Sequence, residues 1–135
     1  MITLPSSVKI YLASQPTDMR KGFDGLMGIV RKTLREDPFS GHLFVFVSKR
    51  ADRLKILFWD RGGFVLYYKR LEAGKYRVPH IGPGARSVRM DAGELSMLLE
   101  GIDFSRVRRP VPWMPNPTYQ MGTLPEKEID RQIRM

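Results

Sequence analysis

Apolar and polar positions alternate over residues 8–12 (VKIYL), which predicts a short first strand. Pro16 forbids a helix through that point. From there the period changes. Phe23, Leu26, Met27, Val30 and Leu34 recur at helical offsets, the stripe of a helix with one buried face. Asp24 is the expected N-cap, and Pro38 restricts Asp37, so the helix should stop near Glu36. Three β-type runs follow at 43–48, 54–60 and 64–70. The segments between them, 49–53 and 61–63, are short enough for hairpins, and Gly62-Gly63 supplies positive φ for a tight turn. The pattern is an antiparallel meander. Its first run, LFVFVS, is continuously apolar apart from its last residue, as in a central strand covered on both faces.

Residues 74–86 (GKYRVPHIGPGAR) read as a surface loop and Ser87–Met90 as a fourth short strand of this part of the chain. Asp91 and Glu94 have the spacing of a capping box, with Met90 and Leu95 placed as its hydrophobic staple. Leu95, Leu98, Leu99 and Ile102 form the buried stripe of that second helix, and Gly101 marks its stop. After Ser105 the period disappears, and prolines at 110, 112, 115, 117 and 125 favour an extended chain. The expected organisation is one α+β domain over 1–104: an antiparallel meander with a helix before and after it. A Pro-rich C-terminal tail fills 105–135 and is expected to wrap its own domain, wrap a partner or be mobile, with Trp113 and Met114 as its natural anchor and Trp113 as the partner-binding candidate.

The chain has 135 residues, a length suited to a single core. Without cysteine it has no disulfide framework, no Cys-based metal site and no thiol nucleophile. Its longest apolar run is too short to cross a bilayer and its N-terminus lacks the features of a secretory signal, so a cytoplasmic protein is expected. Charge changes the picture more. The net charge is +9, and residues 49–89 carry eleven Lys and Arg against three acidic side chains. Such concentration suits attraction of a polyanion, although a solvated basic face is the simpler alternative.

An enzyme needs a constellation, and the sequence offers none. His42 and His80 are isolated, and the expectation is no catalytic residue, no metal and no cofactor. Asp18, Asp24 and Asp60 are too scattered in the local sequence to suggest the metal-binding carboxylates of a recombinase. Gly22, Gly25 and Gly28 have the wrong spacing for a phosphate-cradling loop and point to a closely packed helix start. Residues 40–46 (SGHLFVF) resemble the aromatic motif of an RNA-recognition sheet only superficially, since Ser40 stands where a basic residue belongs. The strongest signal is the first hairpin. Lys49, Arg50 and Arg53 project from its tip, Lys55 follows, and Arg61, Lys69 and Arg70 continue the excess. A two-stranded ribbon fits the DNA major groove, and Trp59, Tyr67, Tyr68 and Tyr76 are interleaved for base stacking or, alternatively, for a core.

Several segments together resemble one bacterial family: residues 18–26 (DMRKGFDGL), 44–57 (FVFVSKRADRLKIL), 59–64 (WDRGGF) and 69–72 (KRLE). It is the TnpB accessory protein, the second open reading frame product, of the insertion-sequence family numbered sixty-six. The resemblance covers about residues 5–105 in consistent order. It implies a non-catalytic accessory factor encoded beside a separate transposase and needed for the element to move. The matching positions suited to a polyanion are Arg20, Lys21, Lys49, Arg50, Arg53, Lys55, Arg61, Lys69 and Arg70. The expected partners are DNA, at the element ends or non-specifically, and the transposase of the same element, with no membrane. A homodimer is open if the sheet leaves an apolar face or edge uncovered. The rival reading is a protein-interaction module that docks on the transposase and touches no nucleic acid.

Overall fold

A computed structural model describes residues 4–103. The Pro-rich segment and Trp113 lie outside the described residues. The chain forms β1 (Ile10–Ala13), α1 (Phe23–Ile29) running on into a π turn (Val30–Leu34), a 3-10 turn (Pro38–Ser40), β2 (Leu43–Val47), β3 (Arg53–Asp60), β4 (Gly63–Arg70), β5 (Ser87–Met90) and α2 (Ala92–Leu99). The five strands make one sheet in the order β4-β3-β2-β1-β5.

The fold is α+β, and the expected meander is β2-β3-β4, each pair antiparallel. Local periodicity did not reveal how β1 joins it. β1 pairs with β2 in parallel, Ile10 opposite Leu43, and antiparallel with β5 on its other side. A parallel pair needs a long crossover, and the segment holding α1 supplies it. The sheet is therefore mixed. One helix covers each face. Tyr11, Ala13, Phe44, Phe46 and Leu57 meet Leu26, Val30 and Leu34 of the first helical segment, while Ile10, Leu12, Val45, Val47, Leu54 and Ile56 share a second cluster with Leu95 and Leu98 of α2. β2, third in the order, has all five residues buried, as its unbroken apolar run requires.

Both helices depart in detail from their expected stripes. Gly22, not Asp24, is the N-cap of α1, and Asp24 sits in the first turn, where a carboxylate still favours the helix dipole. Phe23 is half exposed; the buried line is Leu26, Val30 and Leu34, each four residues on. A spacing of four overshoots an α-helical turn, so Leu34 would drift off the face of a regular helix. The wider π turn brings it back. Arg35 ends the segment in the left-handed conformation, its N–H donating to Val30 O. Of Gly22, Gly25 and Gly28, only Gly25 is close-packed, and Gly22 and Gly28 face open space.

α2 keeps its expected cap and buries Leu95 and Leu98, but Ile102 lies beyond its last residue and is 41% exposed. Asp91 Oδ1 accepts from Glu94 N at 2.8 Å, and Glu94 Oε1 accepts from Asp91 N at 3.1 Å, which completes the capping box. Asp91→Ala should cost about 1 kcal/mol of stability, read by urea denaturation at unchanged slope.

Tyr76 belongs to the core and is not a stacking residue: it is buried in the α2-side cluster and its hydroxyl donates to Lys69 O at 3.3 Å. Burial, with minor contributions from Tyr67 and Asp52, pushes its phenol up to about 12 from 10.0. The unfolded chain therefore loses this proton first. The neutral phenol's contribution to stability is complete below pH 10 and fades as pH rises towards 12. Tyr76→Phe should flatten the loss of stability across that window in denaturation curves taken at successive pH values.

Candidate nucleic-acid interface

Because β1 and β2 run parallel, their carboxyl ends lie at the same end of the sheet. The loop after β1 (residues 14–22) and the hairpin tip after β2 (48–52) are thereby brought side by side, although they are far apart in sequence. Thr17 N donates to Val47 O at 2.9 Å at the junction. Between them runs a polar groove of about 330 Å³ lined by Thr17, Asp18, Ser48, Lys49, Arg50, Asp52 and Arg53 among others.

The tip is internally braced. Ser48 N donates to Arg53 O at 2.9 Å, and Ala51 N donates to Ser48 O at 2.9 Å. The Ser48 hydroxyl donates to Asp52 Oδ1 at 3.2 Å and accepts from Arg53 N at 3.1 Å. Ala51 turns with φ 59°, a conformation that costs a residue with a Cβ about 1–2 kcal/mol. Its carbonyl accepts from Tyr76 N at 2.6 Å, and Asp52 O accepts from Leu71 N at 2.8 Å. The following loop thus pins the tip, and Lys49 and Arg50 stand exposed on a fixed support.

On the other wall, Asp18 and Arg20 form a paired fork, with Arg20 Nη2 on Asp18 Oδ2 at 2.7 Å. Arg20's hydrogen bonds hold the Asp18 carboxyl down at about 2, so it stays charged at any neutral pH. Among the described residues Lys21, Lys49 and Arg50 make no ion pair.

The expected contact residues do not all gather here. Lys49, Arg50 and Arg53 line the groove, Arg20 and Lys21 belong to the loop that forms its other wall, and Arg70 is opposite Arg53 in the β3–β4 register. Lys55 is a correction. It is buried, and its Nζ donates to Met19 O and Lys21 O, both at 2.8 Å, while lying 4.6 Å from the Tyr68 ring centroid. It straps the 17–22 loop to the sheet and presents nothing to a ligand. Lys69 points to the other face, where its Nζ donates to Leu99 O at the end of α2. Arg61 lies past the opposite end of β3, a strand about 24 Å long at roughly 3.4 Å per residue, in the two-residue turn with Gly62.

Three further cations flank this end of the sheet. Lys75, Arg77 and Arg86 lie in the loop between β4 and β5, which returns along this same end; Arg86 O accepts from Ser14 N at 3.0 Å. Their only sequence signal was the regional charge excess. Trp59 is structural, packed between Phe39 and Phe64 with all ring centroids 5.1 Å apart. His42 accepts from Lys9 N at its Nδ1, just before the paired starts of β1 and β2. Among the described residues no three His, Cys, Asp or Glu side chains are grouped as a metal site needs. No described helix is long and apolar enough to cross a membrane.

The family described as IS66 Orf2 like protein matches residues 8–109. The chain belongs to that family. Two relatives come from Sinorhizobium fredii (strain NBRC 101917 / NGR234), both described only as uncharacterized. The protein y4jC is 41% identical over 109 residues, covering 81% of this chain and 92% of the relative. The protein y4hO is 38% identical over 103 residues, covering 75% and 88%. No solved structure matches the chain. Membership in the IS66 Orf2-like family connects the chain with an insertion sequence and suggests an accessory role in transposition.

Proposed function

We propose that the chain is a non-catalytic accessory factor of insertion-sequence transposition that binds DNA with the basic end of its sheet. The supporting observation is the convergence of two cation-bearing segments, the 17–22 loop and the 48–53 hairpin tip, on one braced groove. Exposed Lys and Arg on a fixed support suit phosphate contacts, which position a protein on nucleic acid without themselves reading sequence. With Lys55, Lys69 and Arg61 placed elsewhere, six cations of the proposed set remain: Arg20, Lys21, Lys49, Arg50, Arg53 and Arg70. Neutralising about six phosphates gives a slope of log K against log salt of about −5. Fluorescence anisotropy with an element-end duplex and a scrambled duplex, across a salt series, measures it. A flat salt response contradicts phosphate binding, and the scramble reports specificity.

A second reading has the protein dock on the transposase of its element, with which the family context suggests association. An apolar cleft of about 340 Å³ on the α2 side, lined by Leu43, Ile56, Phe58, Tyr67, Leu95 and Leu99, favours a protein contact of some kind. Trp113 remains the proposed anchor from the Pro-rich segment. Deleting 105–135 separates the readings: transposase capture lost with DNA binding intact supports docking through that segment.

A further inference from the structure

Of the aromatic residues interleaved with the cations, Tyr68 alone combines exposure with a place beside the groove. Tyr76 is buried, Trp59 packs in a cluster near the far end of β3, and Tyr67 lines the α2-side cleft. Tyr68 is 49% exposed. It sits opposite Lys55 in the β3–β4 register, so the Lys55 ammonium supports its ring at 4.6 Å. Its hydroxyl lies 3.4 Å from Arg53 Nη1. The neighbouring pair on this face is Arg53 opposite Arg70. Like charges directly opposite one another in a sheet are unfavourable, and Glu72, on Arg70 at 2.9 Å, offsets only one of them. An anion between the two guanidinium groups would remove that cost.

We infer that Tyr68 is a stacking platform for an unpaired nucleobase whose phosphate lies between Arg53 and Arg70, so that the site takes single-stranded nucleic acid. This rests on the nucleic-acid reading above and narrows it. A duplex keeps its bases stacked on each other and offers this ring no partner. A single strand presents both a π face and the adjacent phosphate. The aromatic ring and its flanking cations are the two elements that sequence-tolerant single-strand binding combines.

The test compares a single-stranded deoxythymidine oligomer of about 12 nucleotides, within the usual site sizes, with an equally long strand of abasic sites. Both carry the same phosphates, so charge alone cannot distinguish them. The full-length protein should bind the base-bearing strand about tenfold tighter, the scale of one stacked base. Tyr68→Leu should abolish that preference and Tyr68→Phe should keep it. Equal binding of the two strands overturns the stacking inference while leaving phosphate binding in place. A preference that survives in Tyr68→Leu overturns the assignment to this ring. No binding to either strand or to duplex overturns both readings. The wild-type comparison stands by itself should Tyr68→Leu fold poorly.

Discussion

Changing Lys49, Arg50 and Arg53 together to Ala should weaken DNA binding on the order of 100-fold, taking about 1 kcal/mol for each lost contact. It should also reduce the magnitude of the salt slope from about 5 to about 2–3, since three of six phosphate contacts disappear. The second effect is the more informative. A general loss of folded protein lowers the apparent affinity at every salt concentration and leaves the slope alone. Lys49 and Arg50 are exposed, so their truncation removes little packing. Arg53 contributes a contact to Tyr68, and its backbone bond to the Ser48 hydroxyl survives the substitution. The variant should therefore melt close to the wild type, as checked by thermal circular dichroism. An unchanged slope contradicts the assignment of the interface to this end of the sheet.

Lys55→Met should produce a loss of binding by another route. The ammonium makes two charge-assisted hydrogen bonds to the carbonyls of Met19 and Lys21 from a buried position. Hydrogen bonds to a charged group contribute about 1.5–3 kcal/mol each before the desolvation of the ammonium is set against them. Methionine fills the same space and bonds neither carbonyl, so about 2–3 kcal/mol of stability should be lost. The loop carrying Arg20 and Lys21 is then released from the sheet while Thr17 N still holds its start. Hydrogen exchange should accelerate over residues 18–22 more than elsewhere. DNA affinity should fall although no contact residue has been altered. Retained exchange protection in the loop contradicts the strapping role.

The meander was legible because each of its strands announces itself locally, by an apolar run bounded by turn residues. The capping box of α2 was legible for the same reason. The parallel pairing of β1 with β2 was not. A five-residue alternation marks a strand, but its partner is chosen by how the intervening helix packs, which has no local code. The candidate site inherited that gap, since the loop and the tip converge only through the parallel pair. Lys55 could have been recognised. It stands among Leu54, Ile56 and Leu57 in a strand next to a fully covered one, where a cation needs internal acceptors. The charge total concealed this, because counting cations over 49–89 treats a buried ammonium like an exposed one. Arg61 shows the opposite error: close in sequence to the others, it is carried to the far end simply by the length of β3.

β1 has partners on both sides, one from the middle of the chain and one, β5, from residues 87–90. As the protein emerges from the ribosome, β2, β3 and β4 can pair while one edge of β1 still lacks its neighbour. The apolar face of α2 that shields Ile10, Leu12 and Val45 is made later still. Contacts so distant along the chain are the slow ones to form. A nascent chain halted before about residue 90 would expose a bare edge and a half-covered sheet, the surfaces on which incomplete chains aggregate. β5 and α2, the last strand and helix among the described residues, therefore act as a clasp on surfaces that a shorter nascent chain leaves open.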